Sequence, residues 1–313
     1  MAKLEFEWKV RKIEEWRMLL LRVPRTNYLQ SVPFARAVLE SDRKVTKLAV
    51  ILEDGKEVGM MALQEICFGP FHIVNLYRGP LWFDEVVPES RLIEFAKLFN
   101  GAFPRRPLRF RRWIPEWKDS ELLRRALFDI GFRPKAKSYE TIYLDLSLSE
   151  AELRGNLRSN WRNHLGKGER ADLRISVDWS GKTAKLFLHK YDLDRKQRKY
   201  FGRSKKFMRS EMSTALAYKE MVVLWAVHGS RSVAAIMVLI HGNSASYRLG
   251  WTTDAGREVC AHNVLLWEAV KLLKQKSVRY FDLVGVEPET AEGLTKFKRG
   301  MGGEDFKTLG LLS

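Results

Sequence analysis

The chain has 313 residues, 45% of them hydrophobic and 12% aromatic, which is more than one core usually takes and enough for two. Its formal charge of +17, from 55 Lys and Arg against 38 Asp and Glu, attracts polyanions with an affinity that falls steeply with salt. The longest clean apolar run, Val233–Ile240, is only strand length, which excludes a membrane-spanning helix.

Met1–Glu7 carries charge too early for a secretory leader. Cys67 and Cys260 sit in apolar contexts with no CxxC or Cys/His cluster, so neither a disulfide framework nor a metal site is expected. The expected location is the cytoplasm.

In chain order, residues 11–22 read as a helix with Ile13, Trp16, Leu19 and Leu20 on one face, stopped by Pro24. Ser31 can cap a helix starting near Pro33, within Asn27–Leu39. Lys47–Glu53 and Glu57–Ile66 flank Asp54-Gly55-Lys56, a hairpin signal. A strand at His72–Tyr77 runs into Arg78-Gly79-Pro80-Leu81-Trp82. Helix signals follow at Pro88–Asn100 and Asp119–Ile130, with strands at Leu108–Trp113 and Tyr139–Leu146, the last closing the first half.

The second half repeats the plan. One helical stretch runs from Ser149 toward Arg170, with Leu153, Leu157 and Trp161 spaced by fours and Ser149/Glu152 forming a capping-box pattern. A strand at Leu173–Trp179 and helices at Thr183–Arg198 and Phe207–Ala217 come next. A second hairpin, Met221–His228 and Ser232–Ile240 around Gly229-Ser230-Arg231, echoes the first. A strand (Ala245–Trp251), a helix (Val259–Lys274) and a strand (Arg279–Val284) lead to a short helix carrying Lys296 and Lys298 and closed by glycines. The recurrence, at about 170 residues, predicts a doubled α/β domain.

Basic residues cluster at Arg105-Arg106, Arg109–Arg112, Arg154–Arg170 and Arg195–Lys206, with Phe110, Trp113, Trp161, Tyr200 and Phe201 interleaved. That pattern suits a nucleic acid or nucleotide partner better than an evenly charged surface does; a merely basic protein is the alternative.

Tyr280-Phe281-Asp282-Leu283-Val284-Gly285-Val286, followed by Gly293-Leu294-Thr295-Lys296-Phe297-Lys298-Arg299-Gly300-Met301-Gly302-Gly303, resembles the C-terminal signature of the Fem-type aminoacyltransferases, roughly (Y/F)D(L/F)xG(I/V)…GLxxFKxGFGG. Leu29-Gln30-Ser31 with Phe34, and Arg78-Gly79-Pro80, are similar to first-domain elements of that family. The resemblance is loose in the first domain and tight from Tyr247 onward. It implies an α/β (α+β) fold of two tandem GNAT-like domains, 1–147 and 148–303, with 304–313 a final strand returning to the first.

The family's donor is an aminoacyl-tRNA, an already activated ester. Its acceptor is an anionic muropeptide on a nucleotide or lipid pyrophosphate, which implies peptidoglycan biosynthesis, peripheral membrane contact at most, and no cofactor. Aminolysis of such an ester needs positioning and a positive group where the oxyanion develops. Lys298 matches the family position for that group. Asp282 either orients the attacking ammonium or Lys298, or caps a loop. Lys296 is a phosphate contact or a plain solvent lysine.

Arg36, Arg78 and Arg203 are the candidates for the acceptor's phosphates, with Lys205 and Lys206 rivals to Arg203. Tyr247, Arg248 and Trp251 line a peptide channel, or Tyr247 and Trp251 are core. Arg158, Trp161 and Arg162 resemble a helix start of the family, with structural salt bridging the equal alternative. Arg158 and Arg162, with Arg109, Arg111 and Arg112, form the expected tRNA surface. There is no long coiled-coil insertion, so tRNA docking must use the globular body.

Two other readings stand beside this one. An acyl-CoA or acyl-carrier N-acyltransferase would hold pyrophosphate on a Gly-rich turn. The slot for it, Thr252–His262, lacks paired glycines and carries Asp254 and Glu258; the first-half slot, Trp82–Pro88, fits worse. The third reading is a nucleic-acid-binding protein that has lost catalysis. His164, His189, His228, His241 and His262 are scattered without ligand spacing, and His72 sits in a strand. No P-loop or dinucleotide fingerprint is present.

Overall fold

A computed structural model describes residues 3–8, 12–199, 202–286 and 291–313; Arg11, Tyr200 and Phe201 lie outside them. The chain forms two units, Met1–Glu140 with Phe306–Ser313, and Thr141–Asp305.

The first unit begins with β1 (Leu4–Trp8), α1 (Ile13–Arg22) and α2 (Val32–Asp42). α1 buries Trp16, Leu19 and Leu20, three positions of the expected face, and the Ser31 hydroxyl caps α2 by accepting from the Phe34 amide. β2 (Val45–Glu53) and β3 (Lys56–Phe68) form the expected hairpin, closed by the two-residue turn Asp54-Gly55 with Glu53 opposite Lys56. β4 (Phe71–Tyr77), β5 (Leu81–Trp82), α3 (Glu89–Ala102), β6 (Arg109–Ile114), α4 (Glu121–Ile130) and β7 (Pro134–Ala136) follow.

The second unit opens with β8 (Glu140–Asp145), α5 (Glu150–Asn156) and α6 (Ser159–Arg170). Ser149 and Glu152 make the capping box. The single helix expected to reach Arg170 is instead two. Gly155-Asn156 is a weak helical ending, the chain turns at Leu157, and the Arg162 guanidinium donates to the Gly155 and Leu157 carbonyls. β9 (Leu173–Asp178), α7 (Ala184–Arg198), α8 (Lys205–Ala217), β10 (Met221–His228), β11 (Arg231–His241) and β12 (Ser244–Thr252) come next. α9 (Asp254–Glu258), α10 (Ala261–Gln275), β13 (Tyr280–Asp282), α11 (Glu292–Arg299), β14 (Glu304–Lys307) and β15 (Leu311–Leu312) complete the chain.

The strands form two sheets, one ordered β1-β2-β3-β4-β6-β15-β7 with β5 on β3, the other β14-β8-β13-β12-β11-β10-β9. This is the tandem GNAT-like α/β architecture the sequence implies. Two placements differ from expectation. β8 was expected to close the first domain, but it pairs antiparallel with β13, Asp145 opposite Tyr280 and Tyr143 opposite Asp282. The boundary therefore falls at 140/141 instead of 147/148. The C-terminal segment is two strands: β14 edges the second sheet, while β15 pairs with β6 and β7 in the first. Strand partners are chosen by long-range register, which local sequence does not encode.

Each sheet packs its own core. In the first unit Phe95, Phe99, Trp113 and Phe132 form an aromatic nucleus, with the Trp113 ring 5.0 Å from Phe132 and 5.4 Å from Phe99. In the second, α10 lays Leu265, Leu266, Ala269, Val270 and Leu273 over a sheet face that includes Ile236, Val238 and Phe281.

Candidate active site in the second unit

The cleft opens where two strands part. β12 and β13 pair in parallel over three residues only, Ser244–Ser246 with Tyr280–Asp282. β12 continues to Thr252, while beyond Asp282 the chain turns off at Val284, whose φ is +56°. A cavity of about 1310 Å³ fills the gap. β12 also bulges here: Met237 faces Leu249 and Val238 faces Tyr247, leaving Arg248 outside the ladder. Such a bulge re-aims side chains at a strand end.

Lys298 lies inside this gap. On α11, Thr295 and Lys298 form the buried face, and Lys298 is only 6% exposed. It donates to the carbonyls of Val284 (2.5 Å) and Gly285 (2.9 Å) and lies 5.9 Å from the centre of the Tyr247 ring. The sequence motif thus closes on itself: its strand end supplies the carbonyls that hold its helix lysine. The glycines after α11 let the chain leave close to the end of α5, since a Cβ on Gly302 (φ +75°) would meet the Asn156 carbonyl oxygen at 2.0 Å.

Asp282 takes the loop-capping alternative of its two expected roles. It is fully buried and does not line the cleft. Its Oδ1 accepts from the Thr141 hydroxyl and from the Val284 amide at 2.8 Å. The carboxylate therefore fixes the turn at Val284, and through it the two carbonyls that hold Lys298.

Tyr247 and His262 form a pair in the wall of the cleft, Oη to Nε2 2.9 Å. Burial, with a smaller contribution from Arg257, pushes the His262 imidazole down to about 4, so it is neutral at pH 7. Burial pushes the Tyr247 phenol up, with Tyr191 adding to the effect. The His262 Nδ1 is buried without a hydrogen-bond partner among the described residues. An orphaned N–H is rarer than an orphaned lone pair. We therefore place the proton on Nε2, donating to the Tyr247 oxygen and leaving the phenol hydrogen free to donate elsewhere. Gly250 makes room for the pair: a Cβ there would lie 2.1 Å from the Tyr247 hydroxyl and 2.7 Å from His262 Nε2. His262 was set aside in the sequence because it lies far from other histidines. The available signal was its position at the start of α10, beside the diverging strands.

Arg248 faces the cleft and donates from Nε to Glu211, a fully buried carboxylate whose pKa burial raises while Arg248 opposes the shift. Arg198, Lys199, Arg257 and His164 line other walls, none of them singled out for this site in the sequence. Arg198 pairs with Asp194, and Arg257 with Asp254. Trp251 is buried away from the cleft lining, 6.1 Å from the Trp225 ring and beneath the Lys190 ammonium, which makes it core. Lys296 is exposed and pairs with Glu292 at 2.6 Å.

The remaining candidates stand elsewhere. Arg203 and Lys206 are exposed at the start of α8, Arg203 over the Phe207 ring. Arg158, the exposed N-cap residue of α6, donates its amide to the Gly300 carbonyl, while Arg162 closes α5. In the first unit, Arg36 is exposed and near Glu40. Arg78 cannot meet a phosphate as it stands: it is 2% exposed, forks onto Glu116 with two 2.7 Å bonds and stacks on Tyr139. Arg111 is also buried, donating to Asn100 and the Phe103 carbonyl over the Phe132 ring, and burial pushes it down to about 10. Arg109 donates to His72 Nδ1 and the Pro104 carbonyl. Of the three arginines expected on β6 for tRNA, only Arg112 is exposed.

A grouping the sequence reading did not recognise brings Glu65, Cys67 and His72 ligand atoms within 4.8 Å of one another. Arg109 donates to His72 Nδ1, so Nε2 carries the hydrogen that Glu65 accepts, and Lys47 pairs with the same carboxylate. That hydrogen bonding leaves His72 without a lone pair for an ion. Among the described residues no helix is long and apolar enough to cross a membrane.

Residues 153–308 match the family model of the acetyltransferase (GNAT) domain. Among solved structures, FemX aligns over 98% of this chain and 96% of its own, with a TM-score of 0.77 and 12% identity. The C-terminal domain (DUF2156) of a putative lysylphosphatidylglycerol synthetase from Agrobacterium fabrum aligns over 96% and 90%, with a TM-score of 0.55 and 14% identity. A tandem GNAT protein from the clavulanic acid biosynthesis pathway aligns over 99% and 98%, at 0.53 and 12%. No curated protein sequence matches the chain. With two GNAT-like sheets in tandem and near full-length similarity to FemX, the chain has the doubled GNAT fold of the Fem-type proteins.

Proposed function

We propose that the chain is an acyltransferase that moves an amino acid from aminoacyl-tRNA to an amine of a nucleotide- or lipid-linked muropeptide by direct aminolysis. The observation that carries this reading is the Lys298 ammonium, fixed by two carbonyls in a cleft between diverging strands. The acceptor nitrogen attacks the ester carbonyl carbon, and the oxygen of the tetrahedral intermediate becomes an anion. Lys298 offsets that charge, and the Tyr247 hydroxyl is a second donor. The C–O bond to the ribose then breaks, and the departing oxygen takes the proton the amine gives up. Such a reaction needs no cofactor.

The turn at Thr252–His262 favours this donor over acyl-CoA. Several of its amides are already used, Gly256 donating to the Thr253 hydroxyl, Arg257 to the Thr253 carbonyl, Val259 to Ala255 and Cys260 to Arg257, and Asp254 and Glu258 oppose a pyrophosphate's charge. A pyrophosphate cradle needs such amides free. The test is to supply purified protein with tRNA charged with labelled amino acids and a muropeptide pool, with labelled acetyl-CoA in parallel. Label entering the muropeptide from tRNA supports the proposal. Transfer from acetyl-CoA alone replaces it with the acyl-CoA reading.

A further inference from the structure

Three phenylalanines stand exposed at one end of the first unit's sheet. Phe68 on β3 is 79% exposed, Phe71 on β4 40% and Phe110 on β6 52%. They occupy neighbouring strands on one face, since Phe68 lies opposite Phe71, and Phe110 lies beside Ile73, two residues along β4. The Phe71 and Phe110 rings are 6.3 Å apart and 24° from parallel. The other face of the same strands carries Val74, Leu76 and Trp113, which belong to the core. Continuing along the aromatic face from Phe110, the next residue is the exposed Arg112, level with Asn75. Arg106 is exposed in the loop entering β6. The segments 67–72 and 104–113 contain no acidic residue.

We infer that this face binds unpaired RNA, with bases stacking on Phe68, Phe71 and Phe110 and phosphates meeting Arg106 and Arg112. Exposed rings spread across adjacent strands and flanked by guanidinium groups are the recurring platform for single-stranded nucleic acid, because every base has a face to stack. A lipid surface needs apolar side chains alone. Here the exposed Arg106 and Arg112 flank the rings and the adjoining segments carry no acidic residue, which suits a polyanion threading past the rings. The inference stands apart from the acyl-transfer reading, since it concerns the first unit and uncharged RNA.

The experiment measures fluorescence anisotropy of full-length protein with a labelled short oligouridylate, a duplex of the same length, and vesicles of phosphatidylglycerol in phosphatidylcholine. The expected result is single-strand binding at low salt that exceeds duplex binding. Replacing each phenylalanine with Ala should weaken it by about 5- to 100-fold, the range of one lost base stack. Phe110→Leu keeps apolar area and should still lose several-fold, whereas Phe110→Trp should retain affinity. Arg106→Ala and Arg112→Ala should each lower the salt slope by about one unit or less. These side chains are exposed, so the variants should fold, which circular dichroism checks. The inference is overturned if the oligouridylate does not bind, if the Ala variants bind within twofold of wild type, or if duplex binds as tightly as single strand. Vesicle binding that the same variants abolish, without oligonucleotide binding, would make the patch a lipid contact instead.

Discussion

Replacing Asp282 separates a structural carboxylate from a catalytic one. Its Oδ1 accepts from the Thr141 hydroxyl and the Val284 amide in a fully buried setting. Hydrogen bonds to a charged group contribute about 1.5–3 kcal/mol each, and breaking a buried charged network costs about 3–5 kcal/mol. Asp282→Ala should therefore destabilise the second unit by about 3–5 kcal/mol, a fall in Tm of roughly 10 °C for a domain of this size. Asp282→Asn can keep its carbonyl oxygen where Oδ1 stands and satisfy the same two donors, so it should cost about 1 kcal/mol. Hydrogen exchange gives the most local readout: the Val284 amide should lose protection in the Ala variant and largely keep it in the Asn variant. Turnover of aminoacyl transfer in Asp282→Asn should stay within about tenfold of wild type, because the residue acts by holding the turn that seats Lys298. An Asn variant that melts like wild type but loses turnover by orders of magnitude would refute this and make Asp282 catalytic.

Three further outcomes follow from the same geometry. Glu116→Ala removes the carboxylate the buried Arg78 guanidinium forks onto and should cost about 3–5 kcal/mol in urea unfolding; a cost under 1 kcal/mol would reopen Arg78 as a phosphate ligand. His262, held at about 4 from an ordinary 6.5, is charged in the unfolded chain before it is charged in the folded one. Stability should therefore be full above 6.5 and fall as pH drops toward 4, by on the order of 2–3 kcal/mol, with His262→Phe flattening that window; a slope unchanged in the variant would contradict it. Gly250→Ala should cost about 1–3 kcal/mol by overpacking and break the Tyr247–His262 pair; an unchanged His262 titration by NMR would show that the pair survives.

Legibility in the sequence tracked how local each feature is. The Asp54-Gly55 turn, the Ser31 cap and the Ser149/Glu152 capping box are written in a few adjacent residues, and the structure repeats them. β8 was assigned to the wrong sheet because its partner, β13, lies more than 130 residues away. The basic stretch at 105–113 read as one surface, yet strand alternation turns Arg111 with Trp113 into the core and Arg112 outward. For Lys298, the spacing from Thr295 marks an inward helical face. Nothing in the sequence shows that carbonyls of Val284 and Gly285 receive it. His262 escaped notice for a similar reason, since its partner Tyr247 is on another element and reaches it over Gly250.

The central claim is tested most directly by the turnover of Lys298→Met in aminoacyl transfer from charged tRNA, at matched folded fraction. Met keeps much of the buried stem and removes the ammonium. The account predicts a fall of about 10²–10³-fold, the scale for one lost oxyanion donor, with affinity for charged tRNA changed far less. Turnover within a few-fold of wild type would contradict it, leaving Lys298 as a strut between α11 and the turn at Val284.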